Sequence, residues 1–267
     1  MVFILIINKF NPDVKSGSRQ QSSSGHKYMD NPPIRAAGLK NFLEIPYDEL
    51  ETMNLKAAER ATKASAKELE KEYRAFLEKE KRIKAVTLCF TDLEGRFHML
   101  DYDKKFLLDS ADNLTFDGSS IRGFSQQHES DLRLAVDWAS IRFLPADIFG
   151  PGKVVMFVDV LDRDHKHYIS DFRGQLKVYA QALEKKSGIT AYAAAEVEGF
   201  LVDGVNAEQA YGKNGFSLIS TGGYYHSLPL DRLRQFIDRA AEAQRAMGFK
   251  NEKDHPEVAP SQFEMNF

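Results

Sequence analysis

Four glutamates in two short segments are the residues best placed to do chemistry. In Ala195-Glu196-Val197-Glu198-Gly199-Phe200 the carboxylates alternate, so on a strand Glu196 and Glu198 project to one face. Two such groups repel unless they face water or share a cation. Carboxylate oxygens suit Mg²⁺ or Mn²⁺, but an acidic edge strand in solvent has the same pattern, and this motif alone leaves both readings open. His255-Pro256-Glu257-Val258-Ala259-Pro260-Ser261-Gln262-Phe263-Glu264 adds Glu257 and Glu264, with His255 beside the first. Alone it is equally ambiguous, since a histidine near a turn is commonly structural. Together the segments supply enough carboxylates for paired cation sites that clamp a nucleoside triphosphate and a developing acyl phosphate. A third segment is Phe116-Asp117-Gly118-Ser119-Ser120-Ile121-Arg122-Gly123-Phe124. It is either plain turn chemistry, with Gly118 supplying the φ, or a loop presenting Asp117 to a cationic substrate such as ammonium.

The elements that must position these groups follow from periodicity. Residues 1–33 are expected to be a disordered tail, because the serines, glycines and prolines from 8 to 33 offer little to bury. Met29 is a candidate for the authentic start. Residues 34–82 form a helical extension, with one helix from Leu55 to about Lys81 that buries Leu69, Tyr73 and Phe76 along one stripe. From Ile83 the period changes to that of strands, with a tight turn at Asp92–Gly95 and a later strand Val154–Val160, giving a small sheet domain over 83–169.

Residues 170–267 alternate helix and strand. Asp171 caps a helix whose Leu176, Tyr179, Ala180 and Leu183 share a face, and Gly188 ends it. The strand Thr190–Glu198 follows, then a helix from Asp231 to Met247 with Leu233, Phe236, Ile237 and Ala240 inward. Helix followed by strand, repeated, makes a layered α/β or α+β domain, and α+β is the class expected for the chain as a whole. The last residues, Phe263–Phe267, alternate like a strand with nothing after them, so the chain is expected to be part of a longer one.

Bulk properties exclude several classes. The 267 residues are 43% hydrophobic and 28% charged with a net charge of -3, which suits an ordinary globular protein and argues against nucleic-acid or polybasic membrane partners. The apolar start, Met1–Ile7, is too short to span a membrane and lacks the basic stretch of a secretory signal. Cys89 is the single cysteine and can form no internal disulfide. A cytoplasmic location is expected.

Asp-Gly-Ser-Ser-Ile at 117–121, Glu-Val-Glu-Gly-Phe at 196–200, Gly-Gly-Tyr-Tyr at 222–225 and the 255–264 segment, in this order, resemble the glutamine synthetase family. The resemblance runs from about Ile83 to Phe267 and is closest to the type I enzymes. It implies a β-grasp domain followed by an incomplete catalytic α/β barrel, and a homo-oligomeric ring whose active sites lie between one subunit's barrel and the neighbour's β-grasp domain. It also implies a reaction in which ATP phosphorylates the side chain of glutamate and ammonia displaces the phosphate. By similarity Glu198, Glu257 and Glu264 hold one Mg²⁺ or Mn²⁺, and Glu196 binds a second that engages ATP. Glu252 and Tyr224 belong to the nucleotide site, and His255 lies near the glutamate. Asp117, with Ser120 beside it, binds and deprotonates ammonium across the subunit interface. The family's remaining metal ligands and its phosphate-transfer arginines lie in later strands, so this chain alone is expected to be inactive or nearly so. Two alternatives stand beside that reading: a γ-glutamyl ligase using an organic amine, and a short non-catalytic assembly or regulatory relative.

Overall fold

The structure, a computed structural model, describes residues 2–6, 45–212, 215–228 and 231–267. In chain order the elements are β1 (Val2–Ile6), α1 (Tyr47–Lys63), α2 (Ala66–Lys79), β2 (Ala85–Thr91), β3 (Phe97–Asp103), α3 (Lys104–Ser110), β4 (Leu114–Asp117), β5 (Asp131–Val136), β6 (Arg142–Phe143), α4 (Ala146–Phe149), β7 (Val154–Leu161), α5 (Phe172–Ser187), β8 (Glu196–Val202), α6 (Arg232–Ala246), β9 (Asp254–Pro256) and β10 (Gln262–Asn266). The chain divides into two compact units, one comprising 41–193 with 242–250 and the other 1–40, 194–241 and 251–267. The expected tail of 1–33 lies outside the described residues except for β1, whose backbone pairs in parallel with β8.

The larger unit is built on a sheet of order β3-β2-β7-β5-β4, with β6 added against β7. Val86, Leu88 and Phe90 of β2 and Met156, Val158 and Val160 of β7 are buried on it together with Leu50, Leu69, Tyr73 and Leu77 from α1 and α2. Of the helical stripe expected from the sequence, Leu69 and Tyr73 are thus buried while Phe76 is only partly buried beside the buried Leu77, and the single helix of 55–81 is two. Ser65 interrupts it: its hydroxyl accepts from Glu68 N while the Glu68 carboxylate accepts from Ser65 N, a reciprocal cap that begins a new helix. The buried Asn54 then fastens α1. Its amide donates to Phe143 O and Ala246 O, at 2.9 and 2.8 Å, and its Oδ1 accepts from Phe143 N at 2.9 Å.

Helix α5 departs from expectation on two counts. Asp171 sits at its N-cap, but the carboxylate makes no cap bond and accepts from Val160 N instead. The shared apolar face is also exposed, with Leu176 and Tyr179 about two-thirds accessible at 66% and 67%. The helix is held by charge: Arg173 bonds Asp137 and Asp159, and Lys177 bonds Asp159.

In the smaller unit the sheet order is β1-β8-β10-β9. Leu201 of β8 and Phe263 and Met265 of β10 are buried with Leu233, Ile237 and Ala241 of α6, so α6 buries the stripe its periodicity announces. The strand expected at 190–198 begins only at Glu196. Residues 190–195 are exposed, with Tyr192 at 93%, and β10 pairs only from Glu196 onward. Alanine-rich backbone without a partner strand has little reason to extend as β.

Candidate functional site

Alternation along β8 and β10 separates core from chemistry. Phe263 lies opposite Gly199 and Met265 opposite Val197, which puts these on the α6 side. The opposite face carries Glu196, Glu198, Gln262, Glu264 and Asn266, with Glu264 directly across from Glu198 and Asn266 across from Glu196. On the far side β9 pairs His255 with Glu264. Antiparallel register therefore brings the two acidic segments together, with the period-two pair Glu196 and Glu198 on the face that also carries Glu264.

Three of the donors converge. One ligand atom each from His255, Glu257 and Glu264 lies within 4.8 Å of the others. His255 is buried at 6% exposure, and its Nδ1 lies 3.1 Å from Pro256 O and 3.9 Å from a Glu257 oxygen. Glu264 is held below the usual carboxylate range, chiefly because the Asn266 amide donates to it at 2.8 Å. The same amide reaches Glu196 at 3.3 Å, and Asn266 Oδ1 is buried without a hydrogen-bond partner. Glu198 accepts from Gln262 Nε2 at 2.8 Å.

Two carboxylates, an imidazole and a nearby orphaned amide oxygen form a donor set that fits a divalent cation. Sequence reasoning overlooked Gln262 and Asn266. Their signal was their positions, two residues either side of Glu264 on one strand face.

The tyrosine segment adjoins this group. Tyr224 and Tyr225 meet the His255 ring edge-on, with centroids 5.4 and 4.6 Å away. The Tyr224 hydroxyl bonds to that of Tyr225 at 2.8 Å, which pushes the Tyr224 phenol up to about 12, so it keeps its proton at neutral pH. Glu252 is not part of the gathering. Its side chain is 73% exposed and lies 3.8 Å from Lys253 Nζ.

Asp117 and Ser120 belong to the larger unit, where Asp117 ends β4. Its carboxylate accepts from Ser119 N at 3.0 Å, from Ser119 Oγ at 2.6 Å and from Ser120 Oγ at 2.6 Å. The two hydroxyls hold it below the usual carboxylate range, so an exposed anion is presented at a fixed orientation. Gly118 serves space rather than φ, contrary to expectation. A Cβ there would lie 2.7 Å from Leu132 Cδ1 and 2.8 Å from Ser125 Oγ.

Residues 82–163 match the family described as "Glutamine synthetase, beta-Grasp domain", and residues 170–267 match "Glutamine synthetase, catalytic domain". The chain belongs to the glutamine synthetase family. It is 33% identical over 189 residues to the glutamine synthetase of Thermotoga maritima, covering 70% of this chain and 42% of that protein. The Methanosarcina mazei glutamine synthetase is 35% identical over 193 residues, covering 71% of this chain and 41% of that one. This chain thus spans about two-fifths of the length of these relatives. Among solved structures, Plasmodium falciparum glutamine synthetase superposes with a TM-score of 0.58 at 21% identity, covering 73% of this chain and 43% of that one. A GmaS/ADP complex gives 0.54, also at 21% identity, over 72% and 43%. The fold is accordingly a β-grasp domain joined to part of a glutamine synthetase catalytic domain. Among the described residues no helix is long and apolar enough to cross a membrane.

Proposed function

We propose that the chain carries the β-grasp domain and the first cation-binding strands of a glutamate–ammonia ligase. The observation that carries this reading is the convergence of His255, Glu257 and Glu264 within 4.8 Å, on strands that set Glu198 opposite Glu264. Glu257, Glu264 and Glu198, with His255, would hold Mg²⁺ or Mn²⁺, and Glu196 would face a second ion on the ATP side. A bound divalent ion supplies charge neutralisation where the acyl phosphate forms.

The chemistry is the two-step ligation of the family. The side-chain carboxylate of glutamate attacks the γ-phosphorus of ATP and ADP leaves. Ammonia then attacks the γ-glutamyl carbonyl, a proton goes to a base, and inorganic phosphate leaves. A carboxylate is a poor electrophile and an acyl phosphate a good one. Asp117, oriented by Ser119 and Ser120, is suited to hold ammonium and take that proton. In the family's arrangement it serves a neighbouring subunit in a homo-oligomeric ring. Tyr224 stays protonated and is available as a hydrogen-bond donor to a phosphate or carboxylate, and Glu252, exposed beside Lys253, is accessible to a nucleotide.

The test is Mn²⁺ titration of the purified chain followed by electron paramagnetic resonance. The reading requires one saturable site that E257Q and E264Q each weaken by about tenfold or more. Equal affinity in the variants would overturn it. Glutamine formation by these 267 residues alone is expected to be absent, since they span only two-fifths of their active relatives' length. Measurable turnover would overturn that part.

A further inference from the structure

Ser261 sits at φ 61°, in the left-handed region that favours glycine, yet it is fully buried. Its hydroxyl accepts from Ile219 N at 2.8 Å and from Ser220 N at 2.9 Å, and it donates to Ser220 O at 3.3 Å. One donor and two acceptor sites are all a serine hydroxyl has, and all three are spent on one neighbouring segment. The same residue's carbonyl accepts from Leu201 N of β8. The segment that the hydroxyl grips leads directly to the Gly-Gly-Tyr-Tyr run. Gly222, at φ 78°, lies so close to the β9–β10 loop that a Cβ would be 2.5 Å from Pro260 Cα. Tyr225 N donates to Pro256 O at 3.1 Å. On its other side Ser220 Oγ donates to Asp231, whose carboxylate also accepts from Leu233 N at the start of α6.

We propose that Ser261 is a positioning residue: its hydroxyl ties the loop between Glu257 and Glu264 to the segment bearing Tyr224 and Tyr225. The carboxylates below His255 and the tyrosines against it then hold one register. The side chain accepts a left-handed backbone, a conformation that costs a non-glycine residue, in return for pairing two partly buried N–H groups whose bonds glycine would lose. Cation binding by the loop therefore stiffens the tyrosine segment, and loosening the segment weakens the cation site. This coupling rests on the cation reading of the His255 group, whereas the hydroxyl's grip does not.

The experiment compares Ser261→Gly and Ser261→Ala with the unaltered chain, by amide hydrogen exchange with and without saturating Mn²⁺ and by Mn²⁺ affinity. Glycine relieves the backbone and loses the hydroxyl; alanine loses the hydroxyl and keeps the unfavourable φ. If the hydroxyl is the pin, Ile219 and Ser220 exchange about tenfold faster or more in both variants, the factor one lost hydrogen bond gives. Mn²⁺ slows those amides in the unaltered chain only, and its Kd rises in both variants. A glycine variant that matches the unaltered chain while only alanine is impaired would overturn the proposal in favour of a backbone role. Faster exchange with unchanged Mn²⁺ affinity would overturn the coupling. If the unaltered chain binds no Mn²⁺, the cation reading and the coupling both fail, and the exchange comparison still decides the grip.

Discussion

Replacing Asn54 by alanine should remove a large share of the larger unit's stability. The side chain is fully buried and makes three bonds: 2.9 Å to Phe143 O, 2.8 Å to Ala246 O and 2.9 Å from Phe143 N. It therefore fastens α1 at once to β6 and to the last residue of α6. Truncation strips partners from two carbonyls and one N–H, and each orphaned buried group costs roughly 1–3 kcal/mol. Water entering the small cavity recovers part of this, which leaves a net loss of about 3 kcal/mol. That is large against the roughly 5–15 kcal/mol that holds a typical domain together. The assay is urea unfolding followed by the fluorescence of Trp138, the chain's single tryptophan, which is buried in the same unit. The midpoint should fall with little change in slope. Asn54→Asp should be at least as damaging, because a carboxylate would face the two carbonyls that the amide now serves. A loss under about 1 kcal/mol for the alanine variant, the size of an ordinary surface change, would refute the reasoning.

Three further outcomes are expected. Ser65→Ala should cost about 1 kcal/mol by urea unfolding, since it breaks the reciprocal cap that starts α2. Burial pushes the Cys89 thiol up to about 12, so a thiol reagent at pH 8 should leave it unmodified until the chain is unfolded, and prompt modification of the native protein would contradict its burial. The Asp117 carboxyl should titrate by NMR below the ordinary aspartate range. Its anion is stabilised by the Ser119 and Ser120 hydroxyls, so whatever these bonds contribute is present at neutral pH and disappears as pH falls through the lowered value. Replacing both serines by alanine should raise the titration toward ordinary values, with the Ser119 backbone N–H still in place.

Much of the fold could be seen in the residues because local signals agreed with the tertiary outcome. The stripe of Leu69 and Tyr73, the apolar runs of β2 and β7, and the face of α6 all follow simple periods that packing then uses. Where local and long-range signals conflict, the reading goes astray. Thr190–Ala194 has the spacing of a strand start but pairs with no strand among the described residues. The α5 stripe has a helical period, but in this chain the helix is fastened through Arg173 and Lys177. The Ser65–Glu68 cap was visible in the sequence and was passed over for the longer periodic run. In the site, Glu196 and Glu198 were legible because like charges at period two demand an explanation, and Glu257 and Glu264 because they add two carboxylates in a second short segment. Glu252, His255 and Tyr224 rested on family likeness, and among these the geometry gathers His255 and Tyr224 and leaves Glu252 at the surface. Ser261 carries no local mark of function, since its importance comes from partners about 40 residues away in sequence, whereas Asn266 is marked only by sharing a strand face with Glu264.

The central claim, that β9 and β10 assemble a divalent-cation site, is tested most directly by anomalous diffraction from crystals of the chain grown with Mn²⁺. The account predicts a peak about 2.0–2.3 Å from a His255 nitrogen and from oxygens of Glu257 and Glu264, lost in E264Q crystals. A fully loaded map with no peak among these three side chains would contradict it.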